Sequence, residues 1–149
     1  KNLPLPGAVG IFCGGAGYPN GSKTDSGNVG AALTDIDWSP LIDEVSYWEA
    51  MEHDDPLAYP AISSVLLSQF PPSLLISATR DFGLSSVVKT HSELYRLGVS
   101  SELFVWEGLE HAFHYNSEVP ESREAFDVIV NFFDSHLNNK ERLNVDDGL

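Results

Sequence analysis

Hydrophobic residues along this chain fall into three short continuous runs, separated by stretches in which they recur every three or four positions. Ala8-Val9-Gly10-Ile11-Phe12-Cys13 lies between Pro6-Gly7 and Gly14-Gly15 and reads as a strand buried on both faces. A second strand is expected from Ser73 to Ala78, introduced by Pro71-Pro72, and a third from Glu102 to Trp106. Between the runs the period becomes helical. Ser39-Pro40 starts one helix, with an N-cap and a proline in the first turn, running through Leu41, Val45 and Trp48. Ser85 or Ser86 is expected to cap another, which stops at Gly98 after Leu97. The last helix places Phe126, Ile129, Val130, Phe133 and Leu137 on one face, with Glu124, Asp127, Asn131 and Asp134 between them.

The stretch from Gly14 to Asp37, rich in Gly, Ser, Thr, Asn and Asp, reads as a long loop, and connections of that length in a compact domain are usually functional or mobile. The order β, loop and helix, β, α, β, α predicts an α/β fold with a parallel sheet built from right-handed crossovers. Three strands are few for such a sheet. A strand apolar on both faces belongs inside a sheet, yet no strand precedes Ala8 to pair with it. The expectation is the C-terminal portion of one domain over residues 1–137, followed by a polar tail over 138–149.

Composition narrows the partners. With 149 residues, 42 % of them hydrophobic and 20 % charged, the chain is ordinary for a single globular domain. Its formal net charge of −14 argues against nucleic acid and anionic membranes, which would repel it. No apolar stretch is long enough to span a bilayer, and no signal-peptide pattern occurs at the visible start. Cys13, the single cysteine, excludes an internal disulfide. Location is left open, with a reducing cytoplasm the compartment this cysteine usage fits.

The candidate chemistry lies at two strand ends. Asp81 closes the run Leu74 to Arg80, and His111 follows the third run after Glu107-Gly108-Leu109-Glu110, expected as a short loop. Open α/β sheets carry their sites at the carboxyl ends of strands. A carboxylate there can fix the tautomer of a neighbouring histidine and stabilise its imidazolium. Acid before histidine is the tail of the Ser, Asp, His order of α/β-hydrolases, yet no Gly-x-Ser-x-Gly occurs in the chain. Both side chains are expected at the rim of the sheet, so replacing either should leave folding intact. His111 and His114 form only half of a zinc pattern, so no metal is expected. Gly14-Gly15-Ala16-Gly17 is not a phosphate-binding loop, and no cofactor is expected.

Four segments fall in a telling order: Asp54-Asp55-Pro56-Leu57-Ala58-Tyr59-Pro60, Phe70-Pro71-Pro72-Ser73-Leu74-Leu75-Ile76, Asp81, and Glu107-Gly108-Leu109-Glu110-His111-Ala112-Phe113. Together they resemble the C-terminal half of the hormone-sensitive-lipase-like esterases of the α/β-hydrolase superfamily. The resemblance implies an α/β-hydrolase fold, with Asp81 as triad acid and His111 as triad base. It places the nucleophilic serine and the oxyanion loop upstream of Lys1, in an N-terminal half that would be this chain's partner. It also implies a pocket for a small or medium acyl ester, to which Trp38, Leu41, Trp48 and Phe113 would contribute. Ser85 and Ser86 stand where the family often has further acidic residues, so an auxiliary carboxylate is not expected. The implied activity is serine carboxylesterase or lipase-like hydrolysis, absent from this portion alone, and a homo-oligomer is compatible with it. A ligand receptor or pseudoenzyme on the same fold, and a peptidase of the prolyl-oligopeptidase type, stay open as alternatives.

Overall fold

A computed structural model of the chain describes residues 4–17 and 55–138. The helix expected after Ser39 and most of the expected long loop lie outside the described residues. Three parallel strands form one sheet in the order β1 (Val9–Phe12), β2 (Ser73–Arg80), β3 (Ser101–Glu110). Val9 pairs with Ser73, and Ser73 pairs in turn with Ser101, so all three strands start level. Between β1 and β2 come a 3-10 turn, Pro60–Ile62, and a one-turn helix α1 (Ser64–Leu67), whose N-cap Ser63 accepts the Leu66 N–H at 3.3 Å. Helix α2 (Leu84–Arg96) links β2 to β3, and α3 (Pro120–Leu137) follows β3.

The central strand explains the layering. Every residue from Ser73 to Ala78 is buried, and successive side chains of a strand point to opposite faces. Leu74, Ile76 and Ala78 pack with Ala8, Phe113, Ala125 and Phe132 beneath α3. Leu75 packs with Leu67, Val87 and Leu94 on the α2 side. A continuous apolar run is what a strand covered on both faces needs. Among the described residues, β1 pairs with β2 alone, and its four residues are only partly buried.

Three expectations change. The first is the start of α2. Its N-cap is Gly83, Ser86 lies buried within the helix, and no side chain caps it. The turn is closed instead by Asp81, whose backbone carbonyl accepts from Leu84 and whose side chain accepts from Gly83. The end of α2 is as expected: Gly98 has φ +75°, with Gly98 N–H on Tyr95 and Val99 N–H on Leu94, the paired bonds of a Schellman cap.

The second is β3, which runs on through Glu107-Gly108-Leu109-Glu110. After Trp106 pairs with Ala78, the next pair is Glu110 with Arg80, so β3 spends four steps where β2 spends two. Gly108 absorbs the excess at φ +74°, where a side chain would be strained. Its N–H donates to Thr79 Oγ1 at 2.7 Å.

The third is the buried face of α3. Ser122, Ala125 and Phe132 are buried, with Ile129 and Phe133 packed against the core. Phe126 (50 %), Val130 (55 %) and Leu137 (48 %) are exposed. Ser122 Oγ bonds the carbonyls of Phe113 and Asn116 at 2.9 and 2.7 Å, which fixes the helix rotation with its small residues inward. No described helix is long and apolar enough to cross a membrane.

Candidate active site

Asp81 is the first residue past β2, and its side chain is completely buried. It was expected at the rim. Burial of a carboxylate calls for partners, and Asp81 has three. Oδ2 accepts from Ser77 Oγ at 2.7 Å, Oδ1 accepts from the Gly83 N–H at 2.7 Å, and Oδ1 also meets Nδ1 of His111 at 2.7 Å. Burial alone would push the carboxyl up. The bonds from His111, Ser77 and Gly83, joined by attraction to the His111 charge, overcome it and hold the carboxyl below its ordinary value. Gly83 is glycine for lack of room, since a Cβ there would stand 2.4 Å from the Cys13 carbonyl oxygen.

His111 follows β3 directly, on the strand beside β2, so the parallel pairing places it next to Asp81. Its ring stacks on Phe82 with centroids 4.1 Å apart and planes inclined by 27°. An ionised Asp81 accepts from Nδ1–H, so in the neutral imidazole Nε2 is the nitrogen that keeps its lone pair. Nε2 has no hydrogen-bond partner among the described residues, and the side chain is 38 % exposed. The ring is therefore held at one nitrogen and on one face, with a basic nitrogen to spare.

The backbone around the pair is bent. Cys13 after β1 and Ala112 after His111 both have left-handed φ, 54° and 58°, which non-glycine residues seldom adopt. The Ala112 N–H donates to Cys13 Sγ at 3.3 Å, tying the two bends together. Cys13 is buried, and its thiol is pushed up to about 12 by burial and by the Asp81 charge. Beyond Ala112, a 3-10 turn over Phe113–Tyr115 is held to α3 by Ser122.

Of the other residues singled out in the sequence, Phe113 lies 6 % exposed in the core beneath α3, against Trp106 at 5.3 Å. It is also among the residues lining an open cavity of about 650 Å³ beside His111, with Leu109, Tyr115 and Val119. Trp38, Leu41 and Trp48 lie outside the described residues. His114 is buried among Phe12, Phe113 and Tyr115. Burial, then repulsion from the His111 charge, lower its pKa, and among the described residues it does not join His111 in a group of metal donors. The supporting residues Ser77, Phe82, Gly83 and Cys13 were not singled out as site residues. Only Ser77 carried a signal, a hydroxyl between Ile76 and Ala78 in the middle of an apolar run.

The comparisons agree with this topology. The family model described as alpha/beta hydrolase fold matches residues 6–115. Among solved structures, the chain is similar to esterase E25, with 31 % identity and a TM-score of 0.73, over 91 % of this chain and 42 % of that one. It is also similar to an esterase from the bacterial hormone-sensitive lipase family, with 20 % identity and a TM-score of 0.73, over 91 % and 46 %. The structure of EstE5 soaked with p-nitrophenyl butyrate matches at 18 % identity and a TM-score of 0.72, over 90 % and 45 %. The chain thus spans less than half the length of these structures. No curated protein matches. With Asp81 and His111 at the ends of adjacent parallel strands and the family model covering both, the chain belongs to the alpha/beta hydrolase fold family.

Proposed function

We propose that this chain supplies the acid and the base of a serine carboxylesterase acting on small to medium acyl esters. The observation that carries the reading is the 2.7 Å contact between Asp81 Oδ1 and His111 Nδ1, with Nε2 left unbonded by the described residues. In this reading Asp81, negative and buried, holds Nδ1–H. Nε2 takes the proton of a serine hydroxyl as that oxygen attacks the ester carbonyl, and Asp81 stabilises the imidazolium that results. The same nitrogen then returns the proton to the departing alcohol. The phenyl face of Phe82 limits rotation of the imidazole between the two transfers. The serine and the oxyanion donors come from a segment outside these residues, since the chain has no serine elbow of its own.

The test is hydrolysis of a p-nitrophenyl ester series by the enzyme containing this chain. Short-acyl esters should be turned over, and His111→Ala should lower kcat by about 10⁴–10⁶ while circular dichroism stays unchanged. Near-wild-type turnover by folded His111→Ala would remove the base assignment and favour a receptor or pseudoenzyme. Preference for prolyl peptide bonds over esters would favour the peptidase.

A further inference from the structure

Cys13 Sγ, a carboxylate oxygen of Asp81 and a ring nitrogen of His111 all lie within 4.8 Å of one another, the one such trio of donors among the described residues. We propose that Cys13, Asp81 and His111 form a binding site for a thiophilic divalent cation, zinc or cadmium, which locks the imidazole out of proton transfer. Thiolate, imidazole and carboxylate are the donors such ions take. Calcium and magnesium instead want oxygen cages.

The framework is largely set. Cys13 and Asp81 close adjacent parallel strands, with the Cys13 N–H fixed to the Ile76 carbonyl at 2.7 Å. Ser77 and Gly83 hold the Asp81 carboxylate and would remain as the outer supports a metal ligand needs. Tetrahedral zinc spaces its donors about 3.3–3.6 Å apart, so the Asp81–His111 contact must open from 2.7 Å by less than about 1 Å. Cys13 and Asp81 are buried, so the partly exposed His111 ring is the ligand that shifts, along the Phe82 face on which it stacks, and a water takes the fourth position.

Charge and protons balance. With the imidazole in its neutral form, the site before binding holds one negative charge, on Asp81, beside a protonated thiol. The ion brings two positive charges, the thiol loses its proton to solvent, and the imidazole proton moves from Nδ1 to Nε2. The result is a neutral site in place of a buried anion. Burial and the Asp81 charge, which keep the thiol protonated, are both answered by a cation bound between them. An imidazole protonated at Nε2 has no lone pair for a serine proton. That silencing rests on the hydrolase reading, whereas the binding does not.

Cadmium titration of the full chain tests the site, because the ultraviolet cadmium–thiolate charge-transfer band can come only from Cys13. The band should saturate at one ion per chain and vanish in Cys13→Ser. His111→Gln and Asp81→Asn should each weaken affinity by at least about a hundredfold. No band, or unchanged affinity in both variants, would overturn the site. In the unsubstituted chain, nitrogen-edited NMR should show His111 passing from Nδ1–H to Nε2–H at saturating zinc, and persistent Nδ1–H would also overturn it. In the enzyme, zinc should suppress ester hydrolysis at least tenfold, reversed by a chelator, and undiminished hydrolysis with the band present would refute the locking. A band and tautomer change without any ester hydrolysis would instead defeat the hydrolase reading and leave the site standing.

Discussion

Asp81 shows how far a single buried carboxylate can organise its surroundings. Its two oxygens accept from a side chain four residues back, from the Gly83 N–H two residues on and from an imidazole thirty residues on. Two of those partners serve the fold and one serves the proposed chemistry, so different replacements should separate them. Asp81→Asn keeps an acceptor for Gly83 and lets the Ser77 hydroxyl rotate to accept from the amide. That orientation leaves the amide oxygen on Nδ1–H as well, but a neutral amide cannot stabilise an imidazolium as a carboxylate does, so kcat should fall by up to about 10⁴ with stability little changed. Asp81→Ala strands the Ser77 hydroxyl and the Gly83 N–H in a dry interior, at roughly 1–3 kcal/mol for each. Urea unfolding should therefore rank Asp81→Ala well below Asp81→Asn, although the two are similarly inactive. Equal stability would mean that water reaches the site and that the bonds from Ser77 and Gly83 are not structural.

At the scale of elements, the readable parts are those whose signal is local. The unbroken apolar run made β2 evident because both of its faces are covered, and Gly98 marked the end of α2 because a left-handed cap favours glycine. With those two elements fixed, Asp81 and His111 had to fall near each other. What could not be read depends on contacts between distant segments. The extension of β3 hangs on Thr79 receiving the Gly108 N–H, the rotation of α3 on Ser122 reaching two loop carbonyls, and the approach of Cys13 to Asp81 on how β1 seats against β2. Two glycines show two kinds of constraint. Gly108 has nothing within 4 Å of an added Cβ but has φ +74°, while Gly83 has an ordinary φ and a carbonyl oxygen 2.4 Å away. Alanine at Gly108 should cost about 1 kcal/mol, and asparagine, which tolerates the left-handed region, should recover part of that. Alanine at Gly83 should cost about 1–3 kcal/mol by overpacking, and asparagine there should be worse. Thermal melts of the four variants decide it: rescue by asparagine at both sites, or at neither, would contradict these assignments.

Across the whole molecule, layer order and strand direction followed from the alternation of runs and helical stretches, and so did the one-sided pairing of β1 among the described residues. A strand apolar on both faces needs a neighbour on each side, among the described residues β1 has one, and the matched structures are about twice as long as this chain. Charge acts at this scale too. Twenty-two acidic residues stand against eight basic ones, for a net −14, and self-repulsion of that size opposes the compact state. The ion pairs between Lys or Arg and carboxylates that could offset it are exposed among the described residues: Arg80 with Glu110 at 3.3 Å and Arg96 with Glu93 at 2.6 Å. Such pairs contribute about 0–1 kcal/mol, so screening them loses little. Repulsion among many like charges reaches further and is screened more completely as the Debye length falls from about 30 Å at 0.01 M salt to about 8 Å at 0.15 M. Added sodium chloride should therefore stabilise the chain, raising Tm by a few degrees for each kcal/mol of repulsion relieved, at about 2–4 °C per kcal/mol for this length. Most of the rise should come below about 0.15 M. Calorimetry across a salt series at fixed pH measures it, and a Tm that falls with salt would show that local pairing outweighs the net charge.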